Sequence, residues 1–180
     1  MTLMTQRWTT FFTMPVGRVA VVALLLALAS GETAYGQTIT SNGERESLRG
    51  LGPVWVEIVA SNLADAEEIG FSEAGLRAAV ELQLRRNGVP LANRTAEPVL
   101  YVTVGVTNAD DYPAILYSVE LHQPVVTMTS TPEYLLLATW RATGYGAFSN
   151  AQVARDNIRD SLSQFVDIFS NDYLAVNPQP

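Results

Sequence analysis

Val99-Leu100-Tyr101-Val102-Thr103-Val104-Gly105-Val106-Thr107 alternates cleanly. Leu100, Val102, Val104 and Val106 fall on one side and Tyr101 and Thr103 on the other, the period-two pattern of a strand with one buried face. Such a strand needs a second layer over its apolar side, so the neighbouring segments decide the architecture. Upstream, Ser72 is a good N-cap with Glu73 in the first turn, and Leu76, Val80 and Leu84 recur at four-residue spacing with Ala79 beside them. Arg85 and Arg86 fill the last turn before Asn87-Gly88 and Pro90 stop it. That segment predicts a helix with one apolar stripe.

Downstream, Ile115, Tyr117, Val119 and Leu121 form the apolar side of a strand whose other side carries Leu116, Ser118, Glu120 and His122. Pro124 cannot donate to a ladder, so the strand is an edge there or carries a bulge. Tyr134 to Tyr145 reads as a further strand. Ser149, with Gln152 three residues on, predicts the start of a second helix. Its stripe is Ala154, Ile158, Leu162, Phe165 and Phe169. Before the first helix, Val54, Val56 and Ile58 alternate with Trp55 and Glu57, which adds a strand at the start. The order βαβββα predicts an α+β two-layer sandwich: two helices on one face of a four-stranded, mostly antiparallel sheet. The first two strands, flanking a helix, should run parallel through a right-handed crossover. The opposite face of the sheet is then left to solvent or to a partner.

The N-terminus reads as an export signal. Arg7 and Arg18 precede an apolar run from Val19 to Ala29, and Ala34 and Gly36 satisfy a small-x-small rule ahead of Gln37. Residues 1–36 are therefore expected to be a signal peptide cleaved between Gly36 and Gln37. The competing reading is a membrane anchor, but spanning a bilayer takes roughly 20 apolar residues. A flexible lead-in over 37–50, a single domain over 51–175 and a tail over 176–180 complete the expected organisation. This places the protein in the periplasm or outside the cell, without a stable membrane anchor after cleavage.

Composition narrows the chemistry. There is no cysteine and no lysine, which removes thiol nucleophiles, disulfides, cysteine-type zinc sites, Schiff bases and a P-loop lysine. The 180 residues carry a net charge of −7, so nucleic acid and anionic lipid are poor partners. His122 is the single histidine; with Glu120 it could form a base–carboxylate or ligand pair, but neither a metal set nor a Gly-x-Ser-x-Gly elbow accompanies it. No cofactor and no metal are expected. Asp110-Asp111 is half of a calcium loop without its closing glutamate and reads as a turn.

The outward sheet face is more informative. Trp55, Tyr101, Glu120, His122 and Arg141 should project from it, together with Glu57 and Thr103. Aromatic residues on a solvated sheet face stabilise cross-strand pairs, and they also anchor interfaces. The arrangement suggests a non-enzymatic binding or assembly module engaging a protein or glycan of the cell envelope. The alternative is a small secreted hydrolase using His122 and nearby acids. A third possibility, self-association through a sheet edge, is opposed by Pro124.

A polar lead-in, the strand Val54-Trp55-Val56-Glu57-Ile58, the helix Leu76 to Gly88, three strands and a long C-terminal helix together resemble small bacterial envelope-assembly domains. These are the periplasmic part of curli secretion channels, the lipopolysaccharide-assembly lipoprotein and the exopolysaccharide-export lipoproteins. The resemblance lies in element order over roughly Leu51 to Tyr173. It implies an α+β envelope module, and no functional residue is carried over from it. Those relatives are mostly lipid-anchored, whereas this chain has no cysteine to modify.

Overall fold

Alternating apolar residues at 100, 102, 104 and 106 can be buried only if two neighbouring strands and a helical layer meet them on the same side. The computed structural model describes residues 34–38, 42–61, 66–67, 70–93, 98–109 and 112–178; the apolar run at 19–29 and Asp110-Asp111 lie outside them. In chain order the elements are strand β1 (Ala34–Thr38), helix α1 (Asn42–Glu46), strand β2 (Trp55–Ser61), helix α2 (Glu73–Arg86), strands β3 (Val99–Ala109), β4 (Tyr112–Val126) and β5 (Tyr134–Ala147), and helix α3 (Ala151–Val176). The strands make one sheet in the order β1-β5-β4-β3-β2. β2 and β3 are parallel, and every other pair is antiparallel.

Register places the apolar residues in rows. Ile58, Val102, Val119 and Ala142 cross the sheet side by side, and Val56, Leu100, Leu121 and Trp140 form the next row; all are buried. Against these rows pack Val80 and Leu84 of α2 and Ile158, Leu162, Phe165 and Phe169 of α3, in one continuous core. The Ser72 hydroxyl caps α2 by accepting from the Gly75 N–H at 3.2 Å. At the other end Gly88 takes φ +84°, the left-handed turn that glycine permits. For α3 the cap is Asn150 rather than Ser149: its side-chain oxygen accepts from the Val153 N–H at 2.9 Å. Asparagine and serine cap equally well, so the sequence leaves the one-residue choice open.

The sheet has five strands, not four. The additional strand, β1, pairs with Thr143–Ala147 of β5. Its sequence, Ala-Tyr-Gly-Gln-Thr, has no apolar alternation, and it forms a strand because β5 offers an edge there. Gly36 suits the place, since a Cβ on it would lie 2.6 Å from the Tyr145 hydroxyl. The Gln37 amide also donates to Ser161 Oγ on α3 at 3.1 Å, a hydroxyl that receives Tyr117 Oη at 3.2 Å as well. The expected cleavage position between Gly36 and Gln37 thus falls inside β1.

The segment expected as a flexible lead-in contains the end of β1, helix α1 and a fully buried Leu48. One carboxylate makes the first of several ties. Asp172 on α3 is buried, accepts from the Trp140 indole N–H at 3.0 Å and from Arg45 Nε of α1 at 2.6 Å, and so ties α1 to α3 and β5. Asn177 adds to the tie, its side chain donating to the Leu48 carbonyl and accepting from the Gly50 N–H. Nearby, Tyr173 Oη donates to the Leu51 carbonyl at 3.1 Å, and burial pushes this phenol above its usual range. Among the described residues no helix is long and apolar enough to cross a membrane.

Candidate functional site

Both helical packing surfaces use one side of the sheet, which leaves the other side half-exposed. The pleat then decides which side chains stand on it. Glu57, Tyr101, Glu120 and Arg141 are cross-strand neighbours from β2 to β5 and form one row. Trp55, Val99, His122 and Ala138 form the adjoining row, shifted by a bulge between Leu121 and His122. The five residues singled out from the sequence, Trp55, Tyr101, Glu120, His122 and Arg141, therefore occupy two adjacent rows of one face. Trp140, one position from Arg141, points the other way and has 0 % of its surface exposed.

The patch divides into two clusters. At the β2 edge, Trp55 Nε1 donates to Glu57 Oε2 at 2.9 Å. Arg77 reaches around the same edge from α2: its guanidinium carbon lies 5.3 Å from the centre of the Trp55 ring, and Nη2 is 3.3 Å from Glu57 Oε2. A further Arg77 nitrogen donates to the Val56 carbonyl. This cation–π and ion-pair arrangement fixes the indole plane. In the centre, the Tyr101 and His122 rings meet edge to face at 4.8 Å and 74°. His122 Nε2 lies 3.2 Å from Glu120 Oε2. Arg141 stands opposite Glu120 in register, yet its recorded ion pair is with Glu44 of α1 at 3.9 Å, a long and largely solvated contact.

Arg77 and Glu44 were not expected in this region. Arg77 lies on the polar face of an ordinary amphipathic helix, and nothing in its spacing marks it. Only its closeness to an edge strand brings it to Trp55. Glu44 belongs to a segment with no periodic pattern at all. Val59, Leu116 and Tyr145 widen the face with exposed apolar surface.

Chemically, this surface offers two aromatic rings held in place, two carboxylates and one outward guanidinium. That is a recognition vocabulary. Ser118 shares the face but sits four residues from His122, roughly 13 Å along a strand. No cluster of three metal-ligating residues occurs among the described residues.

A concavity of about 340 Å³ lies between α2 and α3, with Phe71, Leu76, Val80 and Leu162 in its walls and Arg159 among its lining residues. Gln83, which also lines it, donates to the Ser163 carbonyl and hydroxyl and to Asp167.

No protein-family model matches the chain, and no curated protein matches it. Among solved structures it is similar to the PelC dodecamer from Paraburkholderia phytofirmans at 18% identity, over 78% of this chain and 97% of that one, with a TM-score of 0.37. It is also similar to rare lipoprotein B from Shewanella oneidensis at 15% identity, over 67% and 91% of the two chains, with a TM-score of 0.23. Similarity at these scores places the chain in neither protein's fold.

Proposed function

We propose that the chain is a secreted or periplasmic, non-enzymatic binding or assembly module whose open sheet face engages a protein or glycan of the cell envelope. The observation that carries this reading is the adjacency of Trp55, Tyr101, Glu120, His122 and Arg141 in two cross-strand rows opposite the helices. Flat aromatic rings take up sugar faces or apolar side chains, and the flanking carboxylates and guanidinium orient hydroxyls, amides or carboxylates. The net charge of −7 argues against nucleic acid and anionic lipid as the partner.

The hydrolase reading has one observation in its favour, the His122–Glu120 contact at 3.2 Å.

Site-specific photo-crosslinking in the native envelope tests the proposal. A photoreactive phenylalanine analogue at Tyr101 should give a discrete adduct, and the same group at Arg86, exposed on α2, should give none. Equal adducts from both positions, or none from Tyr101, would overturn the reading.

A further inference from the structure

The β4–β5 hairpin outruns the rest of the sheet. β3 begins at Val99, opposite His122, and β1 covers β5 only from Thr143 onward. Gln123–Val126 and Tyr134–Leu137 therefore pair with each other and with no other described strand. This arm is apolar on both faces: Val126, Tyr134 and Leu136 lie on one, Leu135 and Leu137 on the other, all exposed. Tyr134 is 82% and Met128 99% exposed. Contiguous apolar surface of this kind marks a contact site.

Its backbone decides what kind of contact. The arm has open strand edges whose N–H and C=O groups need partners, and hydrocarbon supplies none. A strand satisfies both the edge and the faces. The two edges are not equivalent. On β4, Pro124 has no N–H to give. On β5, Tyr134-Leu135-Leu136-Leu137-Ala138 contains neither proline nor charge, and it ends at Thr139, whose carbonyl accepts from Ser47 Oγ at 3.0 Å. Pro124 thus guards one edge of the arm and leaves the other available.

Charge and symmetry select the occupant. Between Gln123 and Trp140 the chain carries one charged residue, Glu133, in a protein of net charge −7. Two copies repel one another over most of their surfaces and least over this arm. Placed antiparallel about a two-fold axis at Leu136, the edge is self-complementary: Leu136 faces Leu136, Leu135 faces Leu137, and Tyr134 faces Ala138. We propose that this β5 edge pairs with the same edge of a second copy, joining two sheets into one continuous sheet. The arm, Gln123–Ala138, has sixteen residues against about 20–30 per side in a standard interface, so the dimer is reversible and concentration-dependent.

The inference is independent of the open-face reading, because its test reads position 136 rather than 101. Sedimentation of the purified full chain should show a monomer–dimer equilibrium. Leu136→Lys places like charges face to face and should abolish the dimer, whereas Leu82→Lys, on an exposed site of α2 away from both the arm and the open face, should leave it intact. The chain has no cysteine, so Leu136→Cys supplies the sole thiol and should form an intermolecular disulfide on mild oxidation. A protein that stays monomeric at all concentrations would overturn the proposal, as would a dimer indifferent to Leu136→Lys or a monomer that floats with neutral lipid vesicles.

Discussion

Replacing Asp172 with alanine lowers stability by about 3 kcal/mol, enough to move the thermal midpoint by roughly 10 °C in a domain of this size. The carboxylate is buried, with 7% of its side chain exposed, and holds two donors at once. Without it the Trp140 indole N–H is stranded in the core, which costs about 1–3 kcal/mol. Arg45 loses its partner too, but its side chain is 46% exposed and returns to water, so its share is smaller. Asp172→Asn should recover about half the loss, because an amide oxygen still accepts from the indole while the charge is gone. Arg45→Ala is the complementary case, leaving a buried carboxylate without its cation. Urea unfolding of the two single variants and the double variant gives the coupling between them. Strictly additive losses would show that Asp172 does not tie α1 to the core.

Phe169→Ala should cost more, about 3–5 kcal/mol. Phe169 is fully buried, meets the Trp140 ring edge to face at 5.0 Å and 74°, and stacks at a tilt on Tyr173 at 6.4 Å. The two remaining rings, Trp140 on β5 and Tyr173 on α3, cannot close over the missing phenyl group, so a cavity remains and the edge-to-face contact is lost. Near-ultraviolet circular dichroism should lose the Trp140 signal while far-ultraviolet ellipticity is retained. Equilibrium unfolding measures the cost, and a loss below about 1 kcal/mol would mean that the helix is not packed on the sheet in this way.

The core of this fold is written in periodicity. Leu100, Val102 and Val104 alternate because the helices cover one side of β3, and Ile158, Leu162, Phe165 and Phe169 recur because α3 lies along that side. The parallel pairing of β2 with β3 follows from the helix between them. What periodicity does not carry is structure made by tertiary contact. β1 is a strand because β5 has an edge to offer, and α1 is held by Asp172, 127 residues away in sequence. Neither has a local signature.

The run Tyr134-Leu135-Leu136-Leu137-Ala138 misleads in the opposite direction. A continuous apolar stretch is the usual mark of a strand buried on both faces. Here it extends past its neighbours and is exposed on both, which only the register with β3 and β1 reveals. On the open face, alternation was sufficient to name Trp55, Tyr101, Glu120, His122 and Arg141 as one set. Arg77 and Glu44, which hold the ends of that set, come from a helix edge and from α1, and no alternation points to them.

One-sided coverage of the sheet is the premise shared by the fold and the proposed function, and hydroxyl-radical footprinting of the purified chain tests it directly. Trp55, Tyr101 and Leu116 should oxidise readily, while Trp140, Phe165 and Phe169 should be protected until the protein unfolds. Protection of Trp55 and Tyr101 equal to that of Trp140 would mean that both faces of the sheet are covered, and no open recognition surface would exist.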